Sequence, residues 1–335
     1  MGKNHLRVLK ETPGFNVVAV VDVVASAADV GVPVFRSLSD LKDSAYQAAV
    51  VATPTATHFE VAEALIARGK HLLVEKPLAN NYADARKLIE LAEAKGTRLV
   101  VGHVERFNPA ARKLREVISG GWLGTPVHFS FTRVGGYPET LIHGNNVLLD
   151  LAVHDIDMFR SLVGQVRLEA SLCHSTWRSG VLDTAEIFLS GASGPSASIH
   201  VNWVTPTKIR SIRVTGTRGV CFVDYILQTC ELLGGSLLKG NEPEDSSFEN
   251  ILDHYRTTDR INFGVPKEEP LRAQAAQLVR FFERGEVGEL ATGHDALAAV
   301  LIAERAVDAG GACHDQKAPA TAQPRPLPKL DDEWV

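Results

Sequence analysis

Short runs of apolar, largely β-branched residues mark the first third of the chain, and helix-like stretches separate them. Such runs are typical of strands buried on both faces, and they lie at 16–21, 48–52, 71–74 and 98–101. Apolar residues at helical spacing predict helices at 58–68 and 82–95, the second with Asn81 as its N-cap. A further short helix is predicted at 3–11. Strands that alternate with helices predict an α/β fold with a parallel sheet and right-handed crossovers.

After about residue 110 the pattern changes to short alternating strands. These are predicted at 127–134, 184–189, 197–203, 211–215 and 220–225, with a hairpin connection between the last two. Helices are predicted at 146–162, 271–284 and 294–309. The pattern therefore predicts a second α/β domain with an open, mostly antiparallel sheet and helices on one face.

The predicted elements divide the chain into three parts. Residues 1–110 form the first domain, residues 111–310 the second, and the Pro-rich tail 311–335 is expected to be disordered. The polar, weakly periodic stretch at 234–268 is predicted to be a long loop.

Composition is that of a globular protein, with 335 residues, 45% hydrophobic and 22% charged. The net charge of −5 argues against binding to a nucleic-acid backbone, but it leaves small anionic ligands open. No apolar run has membrane-spanning length, and we expect no signal peptide and no membrane partner. The four cysteines are scattered, which favours reduced thiols and a cytoplasmic location.

A dinucleotide site is indicated by the start of the chain. Asp22 ends the first predicted strand, 20 residues after Gly2 (22 − 2). This is the distance expected between the last glycine of a phosphate-binding loop and the acid that binds the adenosine ribose hydroxyls. A carboxylate there would repel a 2′-phosphate, so NAD is favoured over NADP. The alternative, an aspartate that merely begins a turn, has about equal weight.

Met1-Gly2 is interpreted as the tail of that glycine loop. A full unit has a hydrophobic strand and G-x-G-x before Gly2, and neither precedes it here. The hypothesis is that Met1 is an internal methionine of a longer native chain. If the native chain starts at Met1, we expect weakened dinucleotide binding.

The loop Thr53-Pro54-Thr55, with His58 three residues further on, follows the third parallel run. Loops at the carboxyl ends of strands are where open α/β sheets bind ligands. The loop is therefore a candidate for cofactor contact, and a simple Thr-Pro turn is an equally weighted alternative.

Glu75-Lys76-Pro77 ends the next strand at the same edge. Pro77 holds Lys76 extended and permits a cis peptide bond, so the lysine can point into the crevice. Its ammonium could stabilise a developing alkoxide and contact the cofactor. The alternative is an ordinary surface lysine.

Asp150 and His154 are four residues apart on a predicted helix and face the same way (154 − 150). Histidine is the natural base for a hydroxyl proton, and the aspartate could orient it. The competing interpretation is a solvated acidic helix face that includes Asp155 and Asp157. A metal site from His143, His154 and Asp157 is a third alternative, although no recognised ligand spacing supports it.

In their order along the chain, these segments resemble the glucose–fructose oxidoreductase/inositol dehydrogenase (Gfo/Idh/MocA) family over residues 1 to about 310. The motifs that carry the resemblance are VVAVVD, ATPTATH, LLVEKPLA, GHVERFNPA and NNVLLDLAVHDIDMF. The resemblance implies a Rossmann domain followed by an α/β domain whose open sheet serves homo-oligomerisation. It implies catalytic roles for Lys76, Asp150 and His154. It also implies cofactor contacts from Asp22, the 53–55 loop and Glu75.

GHVERFNPA is similar to the branch that acts on nucleotide-linked amino sugars, oxidising C3 of UDP-N-acetylglucosamine or its uronic acid. On that basis Arg106 and Asn108 would contact the substrate or the nicotinamide end, and Arg133 a phosphate or carboxylate. For Arg106, a structural role at the domain junction is equally open. Two alternatives for function remain: a dehydrogenase of a free sugar or inositol, and a non-catalytic sugar-binding or scaffold protein.

Overall fold

The computed structural model describes residues 1–136, 146–177, 180–234 and 259–310, together with the backbone of residues 314–315. The first strands are short and parallel. They are β1 (Val20–Val21), β2 (Val34–Phe35), β3 (Ala48–Val51), β4 (His71–Val74) and β5 (Leu99–Val101). β3, β4 and β5 pair in one parallel sheet, while β1 and β2 form a separate parallel pair. The predicted parallel sheet is confirmed.

Three helices of this half lie close to their predicted positions, and a fourth, short helix was not predicted. They are α1 (Gly2–Glu11), α2 (Ala27–Val30), α3 (His58–Ala67) and α4 (Tyr82–Lys95). Asn81 caps α4 as predicted, because its side-chain oxygen accepts the Asp84 N–H at 2.8 Å. Apolar faces of α3 and α4 share a core with β3, β4 and β5.

The predicted buried strand at 16–21 is wrong in its extent. Only Val20–Val21 pair, and Val18 is 38% exposed. Among the described residues, β1 has β2 on one side and no strand on the other, and the outer edge of β3 is also unpaired. A β-branched run needs a neighbour on each side to be fully buried, and the described part of the chain supplies only one.

A larger sheet follows, built of long strands. Its strands are β6 (Pro126–Val134), β7 (Val166–Ser175), β8 (Thr184–Gly191), β9 (Ser196–Asn202), β10 (Ile209–Gly216), β11 (Gly219–Asp224), β12 (Thr229–Gly234) and β13 (Asp259–Phe263). They lie in the order β13-β12-β11-β10-β6-β9-β8-β7. All neighbours are antiparallel except β6 and β9, so the predicted open, mostly antiparallel sheet is confirmed. The predicted loop at 234–268 is wrong where β13 forms. This strand pairs with the free edge of β12, including Glu231 and Leu232.

Helices cover one face of this sheet. They are α5 (Pro109–Ser119), a π-helical turn (Leu148–Ala152) that leads into α6 (Val153–Val163), and the last helix, α8 (Gly293–Ala309). Between α6 and α8 in the chain, α7 (Pro270–Arg284) lies against the first sheet instead. Phe129 and Phe131 of β6 pack against Phe159 of α6, with the Phe129 and Phe159 rings 5.2 Å apart. These rings belong to the largest apolar core of the molecule.

The chain then returns to the first sheet. Leu278 and Phe281 of α7 pack with Leu73 and Val100, and β14 (Ala291–Thr292) pairs antiparallel with β5. β15 (His314–Asp315) pairs with β7 in the large sheet. The predicted domain limits stay a prediction, and the rest of the 311–335 tail lies outside the described residues.

A buried ion pair ties α6 to the large sheet. Arg133 on β6 is 1% exposed, and its Nη2 lies 2.9 Å from Oδ1 of Asp155, while its Nε lies 3.0 Å from Oδ2. The Arg133 Nη1 donates to Oε1 of Glu105 at 2.9 Å. Both partners of the Arg133–Asp155 pair are shielded from water, so removing the Asp155 charge leaves Arg133 with Glu105 as its only remaining carboxylate among the described residues.

Asp155→Asn should therefore lower the free energy of unfolding by about 3–5 kcal/mol, since the amide keeps the shape but leaves Arg133 under-compensated. Urea unfolding followed by circular dichroism measures this. Glu169→Gln is the control, because Glu169 and its partner Arg167 are both exposed and the midpoint should not move. Equal midpoints for the two variants would contradict the assignment.

Candidate active site

An amine from the first sheet and a carboxylate from the second half meet at the junction. Lys76 follows β4 directly, and the Lys76–Pro77 peptide bond is cis. The Nζ of Lys76 donates to Oδ1 of Asp150 at 2.9 Å and to the Asp150 carbonyl at 2.6 Å. Asp150 lies in the π-helical turn, a distortion that often accompanies functional sites. The predicted convergence of these two residues is therefore present in the structure.

Trp203, which follows β9, completes the surroundings of this carboxylate. Its indole Nε1 donates to Oδ2 of Asp150 at 3.1 Å. Burial alone would raise the pKa of Asp150, but the charge of Lys76 and the hydrogen bonds from Lys76 and Trp203 lower it overall. Asp150 is therefore an ionised acceptor at neutral pH. Sequence reasoning missed Trp203, although an aromatic residue at the end of a predicted strand was visible.

His154 lies one turn after Asp150 and is buried at 8% exposure. Its ring stands perpendicular to that of His103, with centroids 6.1 Å apart. Burial, and then the positive charges of Lys76 and Arg133, lower the pKa of His154 well below its ordinary value. The imidazole is therefore neutral near pH 7, and its Nδ1 has no hydrogen-bond partner among the described residues.

The solvated acidic face that we weighed for this helix is wrong. Asp155 and Asp157 are each 1% exposed. Asp157 accepts from Nε and Nη2 of Arg106 at 2.8 and 2.6 Å, and its Oδ2 lies 3.7 Å from Nδ1 of His103. Burial raises the pKa of Asp155, although Arg133 acts against that rise. These carboxylates brace the helix rather than face water.

Arg106, Asn108 and Arg133 occupy buried positions in this network. Asn108 caps α5 and donates from its amide to the Tyr225 carbonyl at 3.0 Å. Arg106 joins Asp157 and Asp295. The geometry favours the bracing interpretation of Arg106, and substrate contact by any of the three stays a prediction that these contacts do not support.

The ribose-binding candidate, Asp22, lies where β1 ends. Its Oδ1 accepts the N–H groups of Val24 and Ala25 at 2.7 and 2.8 Å, and these bonds lower the pKa of the carboxyl. Arg36, missed by sequence reasoning, donates from Nη1 to the carbonyls of Asp22 and Ala25, each at 2.8 Å. The carboxylate is thus held ionised, with Oδ2 free of hydrogen bonds among the described residues.

The loops after β3 and β4 are joined by His58. Its Nδ1 lies 2.8 Å from the Pro77 carbonyl oxygen and its Nε2 3.0 Å from that of Thr53. The hydroxyl of Thr57 donates to Oγ1 of Thr53 at 2.9 Å. Burial lowers the pKa of His58, and a neutral ring, which has a single N–H, can donate to only one of these two carbonyls at a time. Pro54 and Thr55 lead from this loop into a 3-10 turn.

Glu75 is fixed from the opposite side of the crevice. His5 of α1 contacts Oε1 of Glu75 at 2.6 Å. A Cβ at Gly102 would lie 2.9 Å from the Glu75 carboxyl, so the absence of a side chain there makes room for it. Burial would raise the pKa of Glu75, but the hydrogen bond with His5 and the interactions with His5 and Lys76 together lower it.

The residues present fit part of a dinucleotide site. The N-terminus of α1, at Met1 and Gly2, reaches the end of β3, where Gly2 lies beside Ala52. A helix N-terminus at the carboxyl edge of a parallel sheet favours phosphate, and Asp22 favours ribose hydroxyls. The described residues contain no cluster of three or more metal-ligating side chains, and His143 of the weighed metal site lies outside them.

Lys76 lies at the carboxyl edge of a parallel sheet, next to a helix that covers an open antiparallel sheet. This arrangement is typical of the class of dinucleotide-binding oxidoreductases. Residues 1–103 match the family description "Oxidoreductase family, NAD-binding Rossmann fold", and residues 111–221 match "GFO/IDH/MocA C-terminal domain". The chain belongs to the Gfo/Idh/MocA family. The resemblance and the expected cofactor class, NAD, agree with these matches.

Curated relatives include dehydrogenases of inositols and of a nucleotide sugar. The scyllo-inositol 2-dehydrogenase (NAD(+)) of Bacillus subtilis is 28% identical over 55% of this chain and 56% of its own length. UDP-N-acetylglucosamine 3-dehydrogenase of Acidithiobacillus ferrooxidans is 27% identical over 54% and 56%. Inositol 2-dehydrogenase 3 of Saccharopolyspora erythraea is 36% identical over 49% and 51%. The chain thus spans little more than half the length of these relatives.

Solved structures share the fold across most of the chain. UDP-N-acetylglucosamine 3-dehydrogenase GnnA from Acidithiobacillus ferrooxidans aligns with a TM-score of 0.76 at 21% identity, over 92% of this chain and 93% of its own. Levoglucosan dehydrogenase, in complex with NADH and levoglucosan, aligns with a TM-score of 0.76 at 19% identity, over 92% and 94%. At these identities the likeness shows the fold alone. Among the described residues, no helix has the length and apolar character needed to cross a membrane.

Proposed function

We propose that this chain is an NAD-dependent dehydrogenase that oxidises a secondary hydroxyl of a sugar. The observation that carries the proposal is the contact of Lys76 with Asp150 beside a buried His154 whose pKa is lowered. An ammonium, a carboxylate and a neutral imidazole at one junction are the groups that alcohol oxidation needs. Bound NAD would supply the hydride acceptor.

In the proposed mechanism His154 takes the proton of the substrate hydroxyl. Its neutrality near pH 7 is what makes it a competent base. Lys76 stabilises the alkoxide that develops as the proton leaves. Asp150 keeps the ammonium in place and, because Trp203 holds its second oxygen, cannot rotate away.

For the substrate we propose C3 of a nucleotide-linked amino sugar, UDP-N-acetylglucosamine or its uronic acid. The support is the GHVERFNPA segment and the likeness to UDP-N-acetylglucosamine 3-dehydrogenase in sequence and fold. A free inositol is the second candidate, supported by the 36% identity to inositol 2-dehydrogenase 3. Detection of a 3-keto product from UDP-N-acetylglucosamine with NAD⁺ would decide between them.

Lys76→Met and His154→Ala should each lower kcat by about 10²- to 10⁴-fold, because each removes a group that acts on the reacting oxygen. Stopped-flow absorbance of NADH with each candidate substrate measures this, and circular dichroism verifies folding. In the wild type, kcat/KM should fall on the acid side only below pH 6.5, since His154 protonates below its ordinary pKa of 6.5.

A kcat close to that of the wild type in both Lys76→Met and His154→Ala would contradict the mechanism. Bound NADH with no turnover on any sugar would favour the non-catalytic binding protein instead.

Asp22→Ala should weaken NADH binding by about tenfold and narrow the preference for NADH over NADPH, because it removes the ribose acceptor and its repulsion of a 2′-phosphate. Fluorescence titration with both reduced cofactors measures the two dissociation constants. Asp29→Ala is the control, since Asp29 is exposed and caps only α2. Unchanged cofactor preference in the Asp22 variant would contradict this role.

We further propose that the uncovered face of the large sheet joins copies of the chain into a dimer or tetramer. Phe188 of β8 is 43% exposed on that face, and its neighbours there include the His200–Glu186 ion pair. Cys221 and Cys230 are buried and are not joined in a disulfide, which supports a reducing compartment such as the cytoplasm.

Phe188→Glu should shift the protein toward monomer, because two charges would face each other across the interface. Light scattering coupled to size exclusion gives the mass. Val24→Glu, an equal change at an exposed residue of the first half, should leave the mass unchanged. A monomeric wild type would contradict the proposal outright.

A further inference from the structure

A line of three cations leads outward from the candidate active site. Arg210 on β10 pairs across the strands with Arg133 on β6, and both side chains lie on the helix-covered face. Lys208 lies just before β10, two residues ahead of Arg210, and its side chain runs beside Gly135, just after β6. Exposure rises along it, from 1% at Arg133 and 26% at Arg210 to the exposed Lys208.

The inner cations of the site are matched by carboxylates. Lys76 has Asp150 at 2.9 Å, and Arg133 has Asp155 and Glu105, each also at 2.9 Å. These contacts hold each charge in a fixed geometry. Each of these five charges therefore has an opposite charge close to it within the protein.

The outer cations are not matched in this way. Arg210 Nη1 lies 3.5 Å from Oε1 of Glu105, an oxygen that already accepts from Arg133 at 2.9 Å. The buried Nε of Arg210 has no hydrogen-bond partner, and Lys208 has neither an ion-pair nor a hydrogen-bond partner in the described ranges. Arg210 and Lys208 are thus the cations on this line that have no carboxylate of their own among the described residues.

Neighbouring positive charge and burial act on both of these residues. Arg210 and then burial lower the pKa of Lys208, while burial and then Arg133 lower that of Arg210. Cations held close together without counter-charge are a common arrangement for binding an anion. Arg210 shares Glu105 with Arg133, and Arg133 holds Asp155, the residue that follows His154 in α6. An anion at Arg210 would therefore lie near a sugar ring at the catalytic residues.

We propose that Arg210, with Lys208 at the rim, binds an anionic group of the substrate and selects against neutral polyols. This rests on the proposed dehydrogenase function and narrows its substrate class. The anion is a carboxylate or a phosphate oxygen. This anion comes either from a sugar carboxylate or from the pyrophosphate of a nucleotide sugar. Binding of probes that carry one or both groups distinguishes the two.

The test is calorimetric binding of three probes to the full chain with saturating NAD⁺: UDP-N-acetylglucosamine, its uronic acid and myo-inositol. Arg210→Gln should weaken binding of an anionic probe about 10- to 100-fold, the loss of a charge-assisted hydrogen bond. Lys208→Gln, at the exposed rim, should weaken it about 2- to 5-fold. Arg210→Lys should restore part of the affinity.

Arg213→Gln is the matched control. It removes the same charge from the same strand, but Arg213 is exposed on the opposite face, where it contacts Ser130. If Arg210→Gln weakens binding of the uronic acid alone, the anion is a sugar carboxylate. If it weakens binding of both nucleotide sugars equally, the anion is the pyrophosphate.

The proposal is overturned if Arg210→Gln binds both nucleotide sugars as the wild type does. It is also overturned if Arg210→Gln weakens binding of myo-inositol as much as binding of the nucleotide sugars. The same holds if the wild type binds neither nucleotide sugar. If a nucleotide sugar binds tightly through Arg210 but no NADH forms, the proposed oxidation is contradicted and the anion site is supported.

Discussion

The compensation of three carboxylates on one helical segment, two of them buried and the third, Asp150, half-buried, is the constraint on which the site depends. Asp150, Asp155 and Asp157 lie within two turns, and each receives a cation from a different element: Lys76 from the first sheet, Arg133 from β6, and Arg106 from the turn before α5. An uncompensated charge at such positions would cost several kcal/mol. Folding therefore has to bring the first sheet, the large sheet and the junction to this helix together.

The same arrangement sets the chemistry of His154. The histidine lies between carboxylates along the sequence. Its pKa is nevertheless lowered, because burial and the nearby positive charges both disfavour the protonated ring. The carboxylates are occupied by their own partners, so little negative field is left to stabilise an imidazolium. A structural requirement, the pairing of buried acids, thus yields a neutral base at the junction of the two halves.

Local patterns in the sequence predicted most of the fold. The α4 limits and its Asn81 cap followed from periodicity and capping chemistry, which depend on neighbours a few residues away. The strand at 16–21 was overextended, because pairing depends on which strands lie alongside. β13 was missed inside a polar stretch, where only the edge of β12 gives it a reason to form.

The candidate site divides along the same line. Glu75-Lys76-Pro77 and the Asp150–His154 spacing carried enough local signal to be singled out. The burial of Asp155 and Asp157 did not, because their partners lie 22 and 51 positions away, and helical periodicity alone describes a charged face as solvated. Four acids and bases in eight residues are costly on a buried helix unless distant cations meet them. Such a cluster is therefore itself a signal that cations should be sought elsewhere in the chain, and Arg106 and Arg133 were available as candidates.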